Sequence, residues 1–298
     1  MPNANSLSCS LFHWRLDNPI IISSGPLGAD GKKIARLLDL GAAAVVTKTI
    51  TPYEDKTSGG WMECSNAFFN REGYSKHSLS RWERDLTALR GRKVMANIFA
   101  RTPDELAALA RRVVSWGVEA IELGLSCPNE EMDPITSRPE RLREFCMAAR
   151  RAVDVPISMK VLIHTATWLN RQLLDVARDT GMNAISLSDT LPAVMLNLRE
   201  GQIMLGGIGG LSGPAIKPLV QKSLIDMRDD RVALMGIGGI SSGLDVLEYV
   251  GLGASAVQVC THLISKGYKA LPGLIEDTAT SLAPIGGTIE ELRGRLLP

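Results

Sequence analysis

The sequence has no cysteine pair, no charge excess of one sign and no long apolar run. Five cysteines (Cys9, Cys64, Cys127, Cys146, Cys260) are scattered through 298 residues without a C-x-x-C motif. An odd number at wide spacing argues against a disulfide framework, a zinc site or an iron–sulfur cluster. It fits a reducing, cytoplasmic setting. Basic residues number 33 and acidic residues 32, a net charge of +1, so no nucleic-acid partner is expected. No apolar run approaches the roughly 18 residues that span a bilayer, so no membrane association is expected either. Residues 1–12 lack the basic and apolar segments of a signal peptide. What remains is ordinary for a globular protein: 45% apolar and 22% charged residues. A chain of this length buries a full core without staples. Glycine alone is in mild excess, 28 residues, or about 9% against about 7% on average.

The informative signal is an alternation. Short apolar or β-branched runs lie near residues 20–23, 44–47, 94–98, 120–123, 157–161, 184–187, 232–235 and 256–259. Their continuous apolar character suits strands buried on both faces, as in a parallel sheet. Between them, helical spacing places Leu106, Leu109, Ala110 and Val113 on one face of 104–116. Similar stripes run through 139–153, 168–180 and 243–250. Thr102-Pro103 marks a helix start, and Gly117, Gly181 and Gly251 mark helix ends. Eight such units predict an α/β fold, a (β/α)8 barrel forming one domain over 1–298. Two connections, 50–92 and 188–211, are too long for plain loops and read as lids or binding segments on the C-terminal face.

Several residues there can carry chemistry. Gly236-Ile-Gly-Gly-Ile240 follows the seventh strand and Cys260-Thr261 ends the eighth, the pair of strands where barrels often bind phosphate. No dinucleotide G-x-G-x-x-G follows the first strand. Lys48 follows strand two and Lys160 closes strand five. An unpaired lysine is costly to bury, so each either pairs with a carboxylate or serves an anionic ligand. Cys127 lies in Leu-Ser-Cys-Pro-Asn129, just past strand four, where a thiol can act as acid or base. Cys146, on a helix face, reads as an inert apolar residue. No histidines stand at i, i+4, and Ser126 is not in a G-x-S-x-G turn. From residues alone, a phosphate-binding barrel lyase or isomerase with a Schiff-base lysine, or a non-catalytic module, also stays open.

Taken together, Ser23-Ser24-Gly25, Thr47-Lys48-Thr49, AIELGLSCPN at 120–129, GGLSGPAIKP at 209–218, Gly238-Gly239-Ile240 and GASAVQV at 253–259 resemble the dihydroorotate dehydrogenase family. These are FMN-dependent barrel flavoproteins that include the flavin-bearing part of dihydropyrimidine dehydrogenase. The resemblance implies that FMN is the cofactor and that Ser23, Ser24 and Gly25 lie against the flavin ring. It implies that Lys48 and Lys160 contact that ring, where a cation favours the reduced, anionic form. Gly213, Gly238, Gly239, Cys260 and Thr261 would hold the phosphate, with Thr49, Asn97, Asn129 and Ser188 completing the cofactor set. Cys127 would be the catalytic base, with Lys48 as the second catalytic candidate. The family's soluble class uses cysteine at that base, and the chain lacks the amphipathic extension of the membrane-associated class. A homodimer and an electron-transfer partner subunit are further implied.

The departures fall around the substrate. The family has four asparagines there. Asn66 and Asn129 match two, but Gly124 and Asp189 stand in place of the others, in Gly-Leu-Ser-Cys and Ser188-Asp189-Thr190. The 66–74 loop also departs from the family pattern, and Cys260 replaces a glycine beside the phosphate. Each lost bond to a buried polar group costs about 1–3 kcal/mol. An aspartate opposes a carboxylate substrate unless Lys160 or Arg71 neutralises it. Asn66, Asn129, Asp189 and Thr190 are the expected substrate contacts. The expectation is oxidation or reduction of a CH–CH bond in a small polar ring: dihydroorotate, or a dihydropyrimidine-like or specialised compound.

Overall fold

A computed structural model describes residues 6–55, 57, 59–126 and 135–297. Eight parallel strands close into a barrel. They are β1 (Ile20–Ile22), β2 (Ala44–Val46), β3 (Val94–Ile98), β4 (Ala120–Gly124), β5 (Ile157–Val161), β6 (Ala184–Leu187), β7 (Ala233–Ile237) and β8 (Ala256–Val259). They follow each other round the ring in chain order, and β8 closes on β1 with Gln258 opposite Ile21. The expected (β/α)8 fold is the one observed. Strands β3, β5, β6 and β8 keep the expected bounds. β7 starts one residue late and runs on to Ile237, because its glycine pairs with β8 like any strand residue.

The outer layer is α1 (Gly31–Asp39), α2 (Leu79–Ala88), α3 (Pro103–Ser115), α4 (Pro139–Ala152), α5 (Thr167–Thr180), α6 (Lys217–Asp226), α7 (Gly243–Gly251) and α8 (Ala270–Leu282). α3 starts on Thr102, whose side chain and that of Glu105 cap each other's backbone amides. α5 ends on Gly181 at φ +69°, a left-handed cap. Gly251 differs from expectation: it is the last residue of α7, and the positive φ falls on Gly253.

Strand alternation stacks the barrel interior in layers. The even strands each begin with an alanine: Ala44, Ala120, Ala184 and Ala256, all fully buried. Four small side chains leave room at the lower end. It is filled by a hairpin, Cys9–Leu11 paired with Trp14–Leu16, whose buried Leu11, Trp14 and Leu16 join the same apolar cluster. Two positions higher the even strands carry Val46, Glu122, Ser186 and Gln258. Two higher again stand Lys48, Gly124, Ser188 and Cys260. The interior therefore changes from an apolar base to a polar layer, the floor of the open mouth above it.

The long connections are more structured than simple lids. Segment 50–92 contains α2, which belongs to the outer ring, and the strands Trp61–Cys64 and Ala67–Asn70. Segment 188–211 contributes Leu191–Ala193 and the start of Gly209–Ser212. These four strands make an antiparallel sheet at the mouth, in the order 191–193, 209–212, 67–70, 61–64. Gly210 is required there: a Cβ on it would stand 2.0 Å from the Thr190 hydroxyl.

Candidate active site

Barrel mouth and sheet enclose a cavity of about 310 Å3. Ser23, Ser24 and Gly25 reach it from the end of β1, Lys48 and Thr49 from β2, and Asn97 from β3. Lys160 lines it from β5, and Ser188, Asp189 and Thr190 from the end of β6. Gly213, Gly238 and Gly239 form one side with Cys260 and Thr261, and Asn66 lines it from the exposed turn of the sheet. Cys127 and Asn129 lie outside the described residues. Sequence reasoning missed Glu72, Asn70 and Gln258, which also line the cavity, and Glu122 beneath it.

Glu122 organises the floor. This fully buried carboxylate accepts from Asn97 Nδ2 at 2.8 Å, from Gln258 Nε2 at 2.8 Å and from the Ser186 hydroxyl at 2.5 Å. Because both amide nitrogens turn toward it, Asn97 Oδ1 and Gln258 Oε1 are left buried without a donor. Gly124 is tied to the same geometry: a Cβ there would stand 2.4 Å from Asn97 Oδ1. The asparagine side chain expected at 124 is missing where the Asn97 amide takes the space.

Both lysines of the mouth are paired. Lys48 Nζ meets Glu72 Oε2 at 2.7 Å, and Lys160 Nζ lies 3.4 Å from Asp189 Oδ1. Asp189 also accepts from the Ser126 hydroxyl at 2.8 Å and from the Thr190 amide at 2.8 Å. Arg71 instead donates to the Leu205 carbonyl at 2.8 Å. Lys160 is only 6% exposed. Burial alone would lower its pKa, but Asp189, Glu122 and Cys260 outweigh this and raise it. A nucleophilic lysine needs the opposite shift, so Lys160 does not favour Schiff-base chemistry. Burial pushes the Cys260 thiol up to about 11 despite Lys160 and Lys48, and the Cys146 thiol up to about 12. Both are neutral at physiological pH. Among the described residues, no group of three or more His, Cys, Asp or Glu side chains is placed to hold a metal ion. No helix among them is long and apolar enough to cross a membrane.

The glycine side is held rigidly. Gly238 and Gly239 take φ +123° and +71°, and the Tyr249 hydroxyl donates to the Gly238 carbonyl at 2.6 Å. Asp245 accepts from the Ser241 and Ser242 amides and pairs with Lys217. A Cβ on Gly239 would stand 2.6 Å from Lys217 Cβ. Gly91 has a similar φ of +80° with open space around it. Urea unfolding should therefore show Gly91→Ala losing about 1–2 kcal/mol from backbone strain alone. Gly239→Ala should lose roughly 1–3 kcal/mol more from overpacking. Equal losses would mean that the glycine wall yields.

The profile of the family described as "Dihydroorotate dehydrogenase" matches residues 6–282. The chain belongs to the dihydroorotate dehydrogenase family. It is 31% identical over 261 residues to the "Dihydroorotate dehydrogenase B (NAD(+)), catalytic subunit" of Methanocella arvoryzae, covering 85% of each chain. Its relative of the same name in Pyrococcus abyssi is 29% identical over 306 residues, covering 98% of this chain and 99% of the other. That in Thermoplasma acidophilum is 28% identical over 283 residues, covering 92% and 93%. A dihydroorotate dehydrogenase-like oxidoreductase of a flavoprotein family accounts for the barrel and for a cavity at its C-terminal face. The family alternative prevails over the lyase and the non-catalytic module that residues alone left open.

Proposed function

We propose that the chain binds FMN in this cavity and moves two electrons and two protons across a CH–CH bond of a small ring. The observation that carries FMN is the pair of orphaned acceptors on the floor. Asn97 Oδ1 and Gln258 Oε1 are buried with no donor, which is unfavourable unless a ligand supplies one. A flavin offers a ring N–H and ribityl hydroxyls, so the residues present fit it. When bound, the flavin supplies the hydride acceptor. Lys160 holds positive charge beside the ring, Ser23, Ser24 and Gly25 support it, and Thr49 and Ser188 complete its edge. Gly213, Gly238, Gly239, Cys260 and Thr261 take the phosphate. Cys127 takes the proton from the substrate carbon, and Lys48 is the second catalytic residue. Asn66, Asn129, Asp189 and Thr190 orient the substrate.

The relatives are named catalytic subunits, which supports a partner subunit that takes the electrons onward. We place the chain in the cytoplasm as a homodimer within such an assembly. The test is anaerobic mixing of the FMN-loaded protein with dihydroorotate and, separately, with dihydrouracil. Bleaching of the flavin by either supports the reading. Protein that retains no FMN on gel filtration, or FMN that neither compound reduces, overturns it.

A further inference from the structure

The cations of the substrate side already have anions of their own. Lys48 holds Glu72 at 2.7 Å and Lys160 holds Asp189 at 3.4 Å. Glu122 adds a further buried negative charge below. The remaining described lysine of the lining, Lys266, lies on the short helix after β8, on the side proposed for the flavin phosphate. An incoming carboxylate would have to displace Glu72 or Asp189, or share a lysine with it. Two carboxylates on one cation in a half-buried pocket repel each other. Dihydroorotate is itself a carboxylic acid.

The acceptors point the same way. Asp189 takes the Ser126 and Thr190 donors yet retains lone pairs, since a carboxylate offers about four. Glu72 and Asp189 present oxygens, and neither can donate to a substrate oxygen as an asparagine would. Ring N–H groups meet these acceptors, whereas a carboxylate carried on the ring sets a further negative charge against them.

We infer that this site selects a neutral, N–H-bearing ring of the cyclic imide or ureide class without a carboxylate, and that Glu72 and Asp189 set that selection. The inference rests on the flavin site proposed above but not on turnover, so binding measures it separately. The probes are uracil and orotate, the same ring without and with a carboxylate, titrated by calorimetry into the FMN-loaded protein. Uracil should bind at least about tenfold more tightly than orotate, as expected for one unpaired charge in a half-buried site.

Glu72→Gln frees Lys48 on a half-exposed loop with little risk to folding. It should raise orotate affinity at least about tenfold and change uracil affinity by less than about threefold. Asp189→Asn, which keeps an acceptor for Ser126, should shift the ratio in the same direction. Tighter orotate than uracil in the wild type overturns the inference. So does an orotate affinity unmoved by both substitutions, or binding of neither probe at millimolar concentration. FMN that no dihydropyrimidine reduces would instead overturn the function reading, while the order of the two affinities would still decide this one.

Discussion

Lys160→Met should lower the unfolding free energy by about 3–5 kcal/mol at pH 7, the range for removing one partner of a buried ion pair. The lysine is 6% exposed and Glu122 fully buried, and Asp189 stands 3.4 Å away at the cavity wall, so the loss strands one buried carboxylate and one partly buried one. Lys48→Met is the comparison. Its pair with Glu72 is more open, at 15% and 30% side-chain exposure, and should be worth at most about 1 kcal/mol.

The pH dependence has a definite sign. Lys160 has a raised pKa in the folded protein, so its stabilisation is fully present below the ordinary lysine value, about 10.4. It is lost only as pH rises through the higher folded value. The wild type should therefore show no loss from this group between pH 5 and 9, with the loss appearing above about pH 10. Urea midpoints at pH 5, 7 and 9 measure this, and equal losses in the two lysine variants would sink the assignment.

Cys127→Ala should slow flavin reduction by substrate about 10²–10⁴-fold, the usual worth of a positioned acid or base. FMN affinity should stay within about threefold, a difference under 1 kcal/mol. Burial lifts Cys9 and Cys146 to about 12 and Cys260 to about 11, so each stays protonated at neutral pH. Cys64 sits exposed on the mouth sheet. Cys127 follows directly on Ser126, whose hydroxyl is fixed to Asp189 at 2.8 Å. Stopped-flow spectra of the alanine and serine variants decide it. A normal rate in the alanine variant removes Cys127 as the base, and a slow rate in Cys260→Ala would move the role there.

The barrel was legible because continuous apolar runs have one good explanation, strands buried on both faces. Lys48, Lys160 and the Gly238-Gly239 turn were legible for a related reason: charge or glycine at a strand end is conspicuous. Partners of those residues were not. Glu72 lies 24 residues beyond Lys48, and only the fold of the mouth sheet returns it. Glu122 and Gln258 had a signal that went unread. The runs AVVTK, AIELG, AISLS and AVQVC all begin with alanine and place their third and fifth residues inward. The polar third residues Glu122, Ser186 and Gln258 therefore share one layer. Helix α2 was hidden inside a connection that read as one long loop, since a hairpin and a helix of opposite periodicity run together there.

An isolated primary amide can rotate half a turn and exchange donor for acceptor at little penalty, so a pocket built from Asn and Gln reads ligands loosely. With Glu122 gripping both amide nitrogens, the floor loses that ambiguity. Asn97 and Gln258 each keep a buried oxygen turned away from Glu122 and without a donor. A ligand edge that reaches those oxygens has to bring hydrogen to them, and an edge without one sets acceptor against acceptor. One carboxylate below the cavity thus fixes which way two amides face.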